Sequence, residues 1–415
     1  VTRAELRAST LAAEGGPALR EHPWPAWPHF DDDERAAVDA VLASGRVNYW
    51  TGEQGRLFER EFAEWAEVPH AVAVANGTVA LEIALRAIGI GAGAEVIVPS
   101  ATFIATASAV AACGAVPVIV DVDRDTRCLT AASVLPALTS RTAAIIVVHL
   151  GGFPADMAPI LDLANQHGLT VVEDCAQAHG AQRDGRRVGT FGAVAAWSFC
   201  QDKIITTAGE GGAITTADPV VWRRCWEYKD HGKNQPAVAD PAPPAGFRWL
   251  HDSFGTNARM TEVQAAVGRR QLRKVDGWVA ARRALAARLT AGLGDLDLLR
   301  LPAVPTGVDH AFYRYYVELD LARLAPGWDR DRVVAAVGAE GVPVTHGGCS
   351  EIHRERALCP TGRPAPVLPH AAALSRTSMT LPVHHRMSAA DAADVVAAMR
   401  KVLREAAGHD SREAS

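Results

Sequence analysis

The sequence predicts an α/β protein: a mostly parallel central sheet with helices on its faces, followed by a smaller C-terminal α+β lobe. Three observations carry this. Short apolar runs recur through the first half: "AVAVAN" (71–76), "EVIVPS" (95–100), "VPVIVDVD" (116–123), "AAIIVVHL" (143–150) and "LTVVEDC" (169–175). Most are separated by amphipathic stretches long enough to be helices, as right-handed crossovers between parallel strands require. A chain of 415 residues with 48% hydrophobic residues has material for a sizeable core and a second lobe.

Taken in order, residues 1–30 form an N-terminal arm, expected to be loosely held, that ends in "HPWPAWPHF". "DDDERAAVDAVLASG" (31–45) opens with acids and closes on glycine, as a helix complemented at its positive end does. A second helix follows at 55–67. Helical stretches at 77–89, 102–114 and 154–168 alternate with the apolar runs, and "AVAAWSF" with "GGAITT" reads as a hairpin on the same sheet. This is the large domain, placed at 31–255. Within it, 232–252 is proline-rich and aperiodic, too long for an ordinary connector. The second domain, 256–415, starts with one long helix over 261–293, bent near Gly277. It continues with a strand at 310–321 and helices at 329–341 and 388–408. No internal repeat is visible.

Charge and composition narrow the partners. The net charge is −5 and no basic block stands out, so neither nucleic acid nor an anionic membrane is expected. The longest apolar runs, such as "AAIIVV", have strand length and fall short of a membrane span. The opening residues lack the apolar core of a secretory signal, so a cytoplasmic protein is expected. The 7 cysteines, without a C-x-x-C pair, read as reduced thiols; neither a disulfide frame nor a metal site is expected.

In an open parallel sheet, ligands bind at the carboxyl ends of strands, so the informative residues follow each apolar run. Gly77 and Thr78 stand where a strand gives way to a helix, offering backbone N–H groups and a hydroxyl that suit a phosphate. A glycine turn capped by threonine explains them equally well. Phe103 follows the next strand, where a ring can cover a flat ligand or simply join the core. Glu173 and Asp174 form an acid pair at the end of a buried strand, costly without a cation; Gln177 and His179 follow within reach. In "WSFCQDKIITTAGEGG" (197–212), Ser198 precedes Lys203, one of only five lysines in an arginine-rich chain. A lysine at a strand end is most often solvated, but the flanking "WSF" and "GEGG" argue against a wet surface. "GEGG" lacks dinucleotide-binding spacing.

Together these positions meet the needs of pyridoxal phosphate: an amine for its aldehyde, an anion for its ring nitrogen, a cup for its phosphate and a flat surface for its ring. Lys203, Asp174, Gly77 with Thr78 and Ser198, and Phe103 would supply them.

The chain resembles the DegT/DnrJ/EryC1/StrS aminotransferases, a fold-type-I pyridoxal-phosphate family, over about residues 27–405. The carriers are "NGTVALEIAL", "EVIVPSATFIATASAV", "VVEDCAQAHGA", "SFCQDKIITTAGEGG", "NARMTEVQAA" and "LPVH". The resemblance implies that Lys203 carries the cofactor, that Asp174 pairs with the pyridinium nitrogen, and that Gln177 touches the ring hydroxyl. It implies that Phe103 stacks on the ring and that Gly77, Thr78 and Ser198 cup the phosphate. It also implies that Asn257 reaches the phosphate of a neighbouring subunit, hence a homodimer with shared sites. Three features depart from the family pattern: Ala208 lengthens the run after the lysine, Cys175 replaces alanine, and His385 and Arg386 follow His384.

The implied reaction is transfer of an amino group, through the pyridoxamine form, from an amino acid (glutamate expected) to a nucleotide-linked 3- or 4-keto-hexose in amino-sugar biosynthesis. Lys203 would shuttle the proton and needs a lowered pKa for it. Lys229 and Lys233 are expected to be solvated, whereas Lys233, Arg248 and Trp249 in the long loop are candidates for contact with a nucleotide diphosphate. A keto-inositol acceptor is the alternative. Lys203 speaks against a related sugar dehydratase, in which histidine replaces the lysine, and both key residues speak against a non-catalytic regulator.

Overall fold

A computed structural model describes residues 10–242, 245–359 and 366–407. Residues 1–9 of the arm, 243–244 of the long loop and 408–415 at the C-terminus lie outside the described residues.

Seven strands form the main sheet: β1 (His70–Val74), β2 (Glu95–Pro99), β3 (Val116–Val120), β4 (Thr142–Val148), β5 (Thr170–Asp174), β6 (Val194–Ser198) and β7 (Gly212–Thr216). Their order is β1-β7-β6-β5-β4-β2-β3. Strands β2 to β6 pair in parallel, and β7 runs antiparallel to both β1 and β6. The expected hairpin is therefore present. Every residue of β2, β6 and β7 is buried, because helices cover both faces and leave no side for a polar alternation.

The helices that matter to the site are α1 (Asp32–Ser44), α2 (Gln54–Trp65), α3 (Gly77–Ala87) after β1, α4 (Ala105–Ala112) after β2, and α5 (Met157–His167) after β4. The first amides of α2 are satisfied from far away: buried Glu262 accepts from Gly55 N at 3.0 Å. That contact ties the N-terminal helices to the start of the second half.

The single bent helix expected over 261–293 is two helices, α6 (Glu262–Leu272) and α7 (Val275–Leu293). The break falls at Arg273 and Lys274, not at Gly277, which lies inside α7. Lys274 Nζ is drawn to Asp31, Asp33 and Glu34 at 2.7–3.2 Å, so charge redirects the chain there. A Cβ at Gly277 would meet only open space, so that glycine imposes nothing.

A second, antiparallel sheet orders β8 (Leu299–Arg300), β9 (Tyr315–Leu319), β11 (Ser378–Leu381) and β10 (Thr345–His346). Leu285 and Leu289 of α7 pack with Val395, Met399 and Val402 of the last helix, Ala389–Ala406, into its core. From residue 10 onward the arm packs on this lobe instead of lying loose. Leu11 and Leu19 enter the same core, and buried Arg20 pairs with Asp391 at 2.7 Å and Asp394 at 2.9 Å. The long loop folds back on itself: a bridge joins Lys233 to His251, and a short helical turn, Gln235–Ala239, is capped by Asn234. No helix among the described residues is long and apolar enough to cross a membrane.

Candidate active site

A cavity of about 680 Å³ opens at the carboxyl ends of the parallel strands and is closed on one side by the second lobe. Asp174 ends β5, Ser198 ends β6, Gly77 begins α3, and Lys203 lies in the β6–β7 connection. Tyr313 and Arg314, just before β9, form the opposing wall. Of the residues singled out from sequence, Gly77, Thr78, Phe103, Asp174, Gln177, Ser198 and Lys203 all line this cavity. Asn257 does not; it is exposed and bridges to Asp230 within its own chain.

The acid pair divides its work, as successive strand residues face opposite sides. Glu173 is fully buried and structural: it accepts from the amides of Gly189, Phe191 and Gly192 at 2.7 Å each and lies 3.0 Å from His149 Nε2. Asp174 faces the cavity at 5% exposure. Its Oδ1 accepts from Ala176 N at 3.1 Å and its Oδ2 from Thr106 Oγ1 at 3.0 Å. Burial pushes its carboxyl above the ordinary value, outweighing those bonds and the charge of Lys203. No ion pair reaches it among the described residues, so it is set to receive a cation from the cavity.

Lys203 Nζ lies 3.5 Å from Tyr313 Oη and 3.7 Å from Asp202 Oδ1. Tyr313 donates its hydroxyl to Asp202, and Arg314 pairs with the same carboxylate at 3.1 Å. The lowered lysine expected from sequence is not what this chain alone produces. Burial works to lower it, but Tyr313 and Asp202 outweigh burial and raise it. A cation arriving at Asp174 is the element still missing from that balance. Trp27 of the arm donates Nε1–H to the Lys203 carbonyl at 2.9 Å, so the arm braces the lysine's backbone.

The phosphate-type cradle is tight. Asn76 caps α3 by accepting from Val79 N at 2.9 Å, and the other first-turn amides have no acceptor within the helix. A Cβ on Gly77 would sit 2.6 Å from Ser198 Cβ, and one on Gly212 would sit 2.4 Å from the Asn76 carbonyl oxygen. Gln177 Oε1 accepts from Gly151 N at 2.7 Å, leaving its amide nitrogen for a ligand. Phe103 stands at the rim, 68% exposed.

Other expectations fail. His179 is fully buried against Trp197 and Phe199, away from the cavity, and burial pushes it down to about 3. Lys229 is not solvated: it is fully buried and pairs with Glu59 at 3.1 Å. Lys233 is held by Asp230 at 3.0 Å, and the Arg248 guanidinium donates to the Ala237 carbonyl. Neither lines the cavity, nor does exposed Trp249. Sequence reasoning missed Thr106, Asp202, Tyr313, Arg314 and Arg127, which all do. Asp202 had one available signal, its place beside the lysine.

Comparison with known proteins adds four findings. The profile of the DegT/DnrJ/EryC1/StrS aminotransferase family matches residues 28–400. The chain is 42% identical over 348 residues to the L-glutamine:2-deoxy-scyllo-inosose aminotransferase of Streptomyces kanamyceticus, covering 82% of this chain and 80% of that one. It is 38% identical over 366 residues to the dTDP-3-amino-3,4,6-trideoxy-alpha-D-glucose transaminase of Streptomyces venezuelae, covering 88% and 91%. Among solved structures, an aminotransferase from Psychrobacter cryohalolentis superposes with a TM-score of 0.90 at 46% identity, covering 92% of this chain and 100% of that one.

Proposed function

Because the chain belongs to the DegT/DnrJ/EryC1/StrS aminotransferase family, we propose that it is a pyridoxal-phosphate-dependent transaminase that moves an amino group from an α-amino acid to a cyclic, polyhydroxylated ketone. The carrying observation is that one cavity holds a buried, cation-free carboxylate on Asp174, the amine of Lys203 and the N-terminus of α3. That donor set fits the cofactor's ring nitrogen, its aldehyde and its phosphate.

Bound there, pyridoxal 5′-phosphate would supply an electrophilic carbon and an electron-accepting ring able to carry the amino group in its pyridoxamine form. Asp174, fixed by Thr106 and the Ala176 amide, would hold the proton on the cofactor's ring nitrogen. Gly77, Thr78 and Ser198 would seat its phosphate, and Gln177 and Phe103 would hold its ring. Lys203 accepts the proton from the donor's α-carbon and returns one in the second half of the cycle. Asp202, Tyr313 and Arg314 orient its amine. Tyr313 and Arg314 of the second lobe wall that side of the cavity.

The first reading of the acceptor is a nucleotide-linked 3- or 4-keto-hexose, supported by the Streptomyces venezuelae transaminase named above. One observation favours a free keto-inositol as second reading: Lys233 and Arg248 are engaged within their own loop. The Streptomyces kanamyceticus relative supports the same reading, and its name places L-glutamine beside L-glutamate as donor. A homodimer is part of the proposal. Phe247, Trp249 and Phe254 are 79%, 86% and 100% exposed, and Asn257 is exposed too, apolar and polar surface that a second copy could cover.

The test is incubation of the cofactor-loaded protein with each donor and a panel of keto-hexose nucleotides and inososes, followed by mass analysis. An amino product from one acceptor class is expected. Cofactor bleaching by neither donor would overturn the reading.

A further inference from the structure

Arg127 is a buried guanidinium among the residues lining the reaction cavity, with its nearest carboxylate, Glu318, 3.8 Å away. It leaves the loop after β3 with φ at 61°, and its side chain is 8% exposed. Its guanidinium carbon lies 4.6 Å from the Tyr316 ring centroid, and Nη1 donates to Ser378 Oγ at 2.6 Å. The carboxylate that approaches it, on Glu318, is 3.8 Å away, too far for a hydrogen bond. Arg124 at 2.9 Å and the Thr377 hydroxyl at 3.2 Å hold the other oxygen of Glu318, Oε2, and draw that carboxylate away from Arg127. Burial works against the charged form of Arg127. A buried guanidinium in this state calls for an anion.

The other two cations lining the cavity share one carboxylate, that of Asp202. Arg314 pairs with Asp202 at 3.1 Å, and Lys203 lies 3.7 Å from the same residue. Arg127 lines the same cavity as Arg314 and Lys203, so an anion that it holds there shares the cavity with the reacting amine.

Resting on the transaminase reading, we propose that Arg127 binds the α-carboxylate of the amino-acid donor. Every α-amino acid carries that charge on the carbon whose amine reacts. A keto-inositol has no such charge, and a nucleotide-linked hexose carries its charge on the diphosphate, several bonds from the ketone. A fork of N–H donors suits a carboxylate and fixes its orientation. Both substrates must use one cavity in turn. When the donor's keto acid leaves, Arg127 keeps its bond to Ser378 Oγ, and an uncharged ring can enter. Arg127 is thus a specificity residue for the first half of the cycle.

The test compares Arg127→Leu and Arg127→Lys with wild type in two separate readouts. One is half-saturation by L-glutamate and L-glutamine, followed through the bound cofactor's absorbance with no acceptor present. The other is the acceptor KM at saturating donor. Arg127→Leu should keep the cofactor band and raise donor half-saturation about tenfold to hundredfold, the scale of a lost charge-assisted bond. Acceptor KM should hold and Arg127→Lys should recover part of the loss; if Arg127→Leu does not fold, the lysine variant carries the same comparison. Unchanged donor saturation, or an equal rise for donor and acceptor, overturns the assignment. A wild-type protein with no cofactor band and no bleaching instead removes the transaminase reading, and this inference with it.

Discussion

Thr106 Oγ1 donates to Asp174 Oδ2 at 3.0 Å, joining the first turn of α4 to the end of β5. Thr102 stands 2.8 Å from Thr106 and completes a short relay into the carboxylate. The bond aims one oxygen of Asp174 and offsets part of the upward push that burial gives its carboxyl. Thr106→Val should therefore lower kcat roughly tenfold, on the scale of one lost buried hydrogen bond, while Thr106→Ser restores it. Steady-state kinetics decide; a valine variant at wild-type rate would mean that Asp174 needs no such support.

Gly77 is the position where space itself is the requirement. With an added Cβ 2.6 Å from Ser198 Cβ, the start of α3 and the end of β6 must move apart. Overpacking of this kind costs about 1–3 kcal/mol, and here it falls on the phosphate cradle. Gly77→Ala should weaken cofactor affinity about tenfold or more while the far-ultraviolet spectrum stays native. Equal affinity in a titration of the apoprotein would remove Gly77 from the cradle.

The lysine's titration depends on Asp202. Tyr313 and Asp202 together raise Lys203 against the effect of burial. Removing the negative charge in Asp202→Asn should move the titration of Lys203 in the apoprotein to lower pH, so its amine becomes reactive earlier as pH rises. Competitive labelling with an acylating reagent, read by peptide mass, measures this. An unchanged or higher midpoint would contradict the geometry.

Acid stability follows from two histidines. His179 and His310 are fully buried, and burial pushes each from 6.5 down to about 3. Below pH 6.5 the unfolded chain takes these protons and the folded one does not. The stabilisation is complete above pH 6.5 and is lost as pH falls toward 3, at about 1.4 kcal/mol per pH unit for each histidine. Neither ring nitrogen of His179 has a hydrogen-bond partner, so His179→Phe should flatten the fall in Tm between pH 6.5 and 4 without unfolding the protein at pH 7. The same slope in both proteins would contradict this.

The parallel sheet was legible because its signal is local. Each apolar run, and each helix after it, shows its own period within a dozen residues. The cavity-lining residues expected from sequence were legible for the same reason, since each lies at or just after the end of a strand. What stayed hidden depends on distant partners. Lys229 looked solvated among charged neighbours, yet its partner Glu59 lies 170 residues away. Tyr313 and Arg314 sat inside a strand-like run, and only the approach of the second lobe places them against Lys203. The helix break at Arg273 and Lys274 reflects acids at the opposite end of the large domain, where a local reading favoured Gly277.

The central claim is that Lys203, across the cavity from Asp174, is the residue that carries the cofactor. Borohydride trapping of the cofactor-loaded protein, followed by proteolysis and peptide mass analysis, tests it most directly. The account predicts a single modified peptide bearing the label on Lys203, absent in Lys203→Ala. A label on Lys229, Lys233 or Lys274, or a label that survives the substitution, would contradict it.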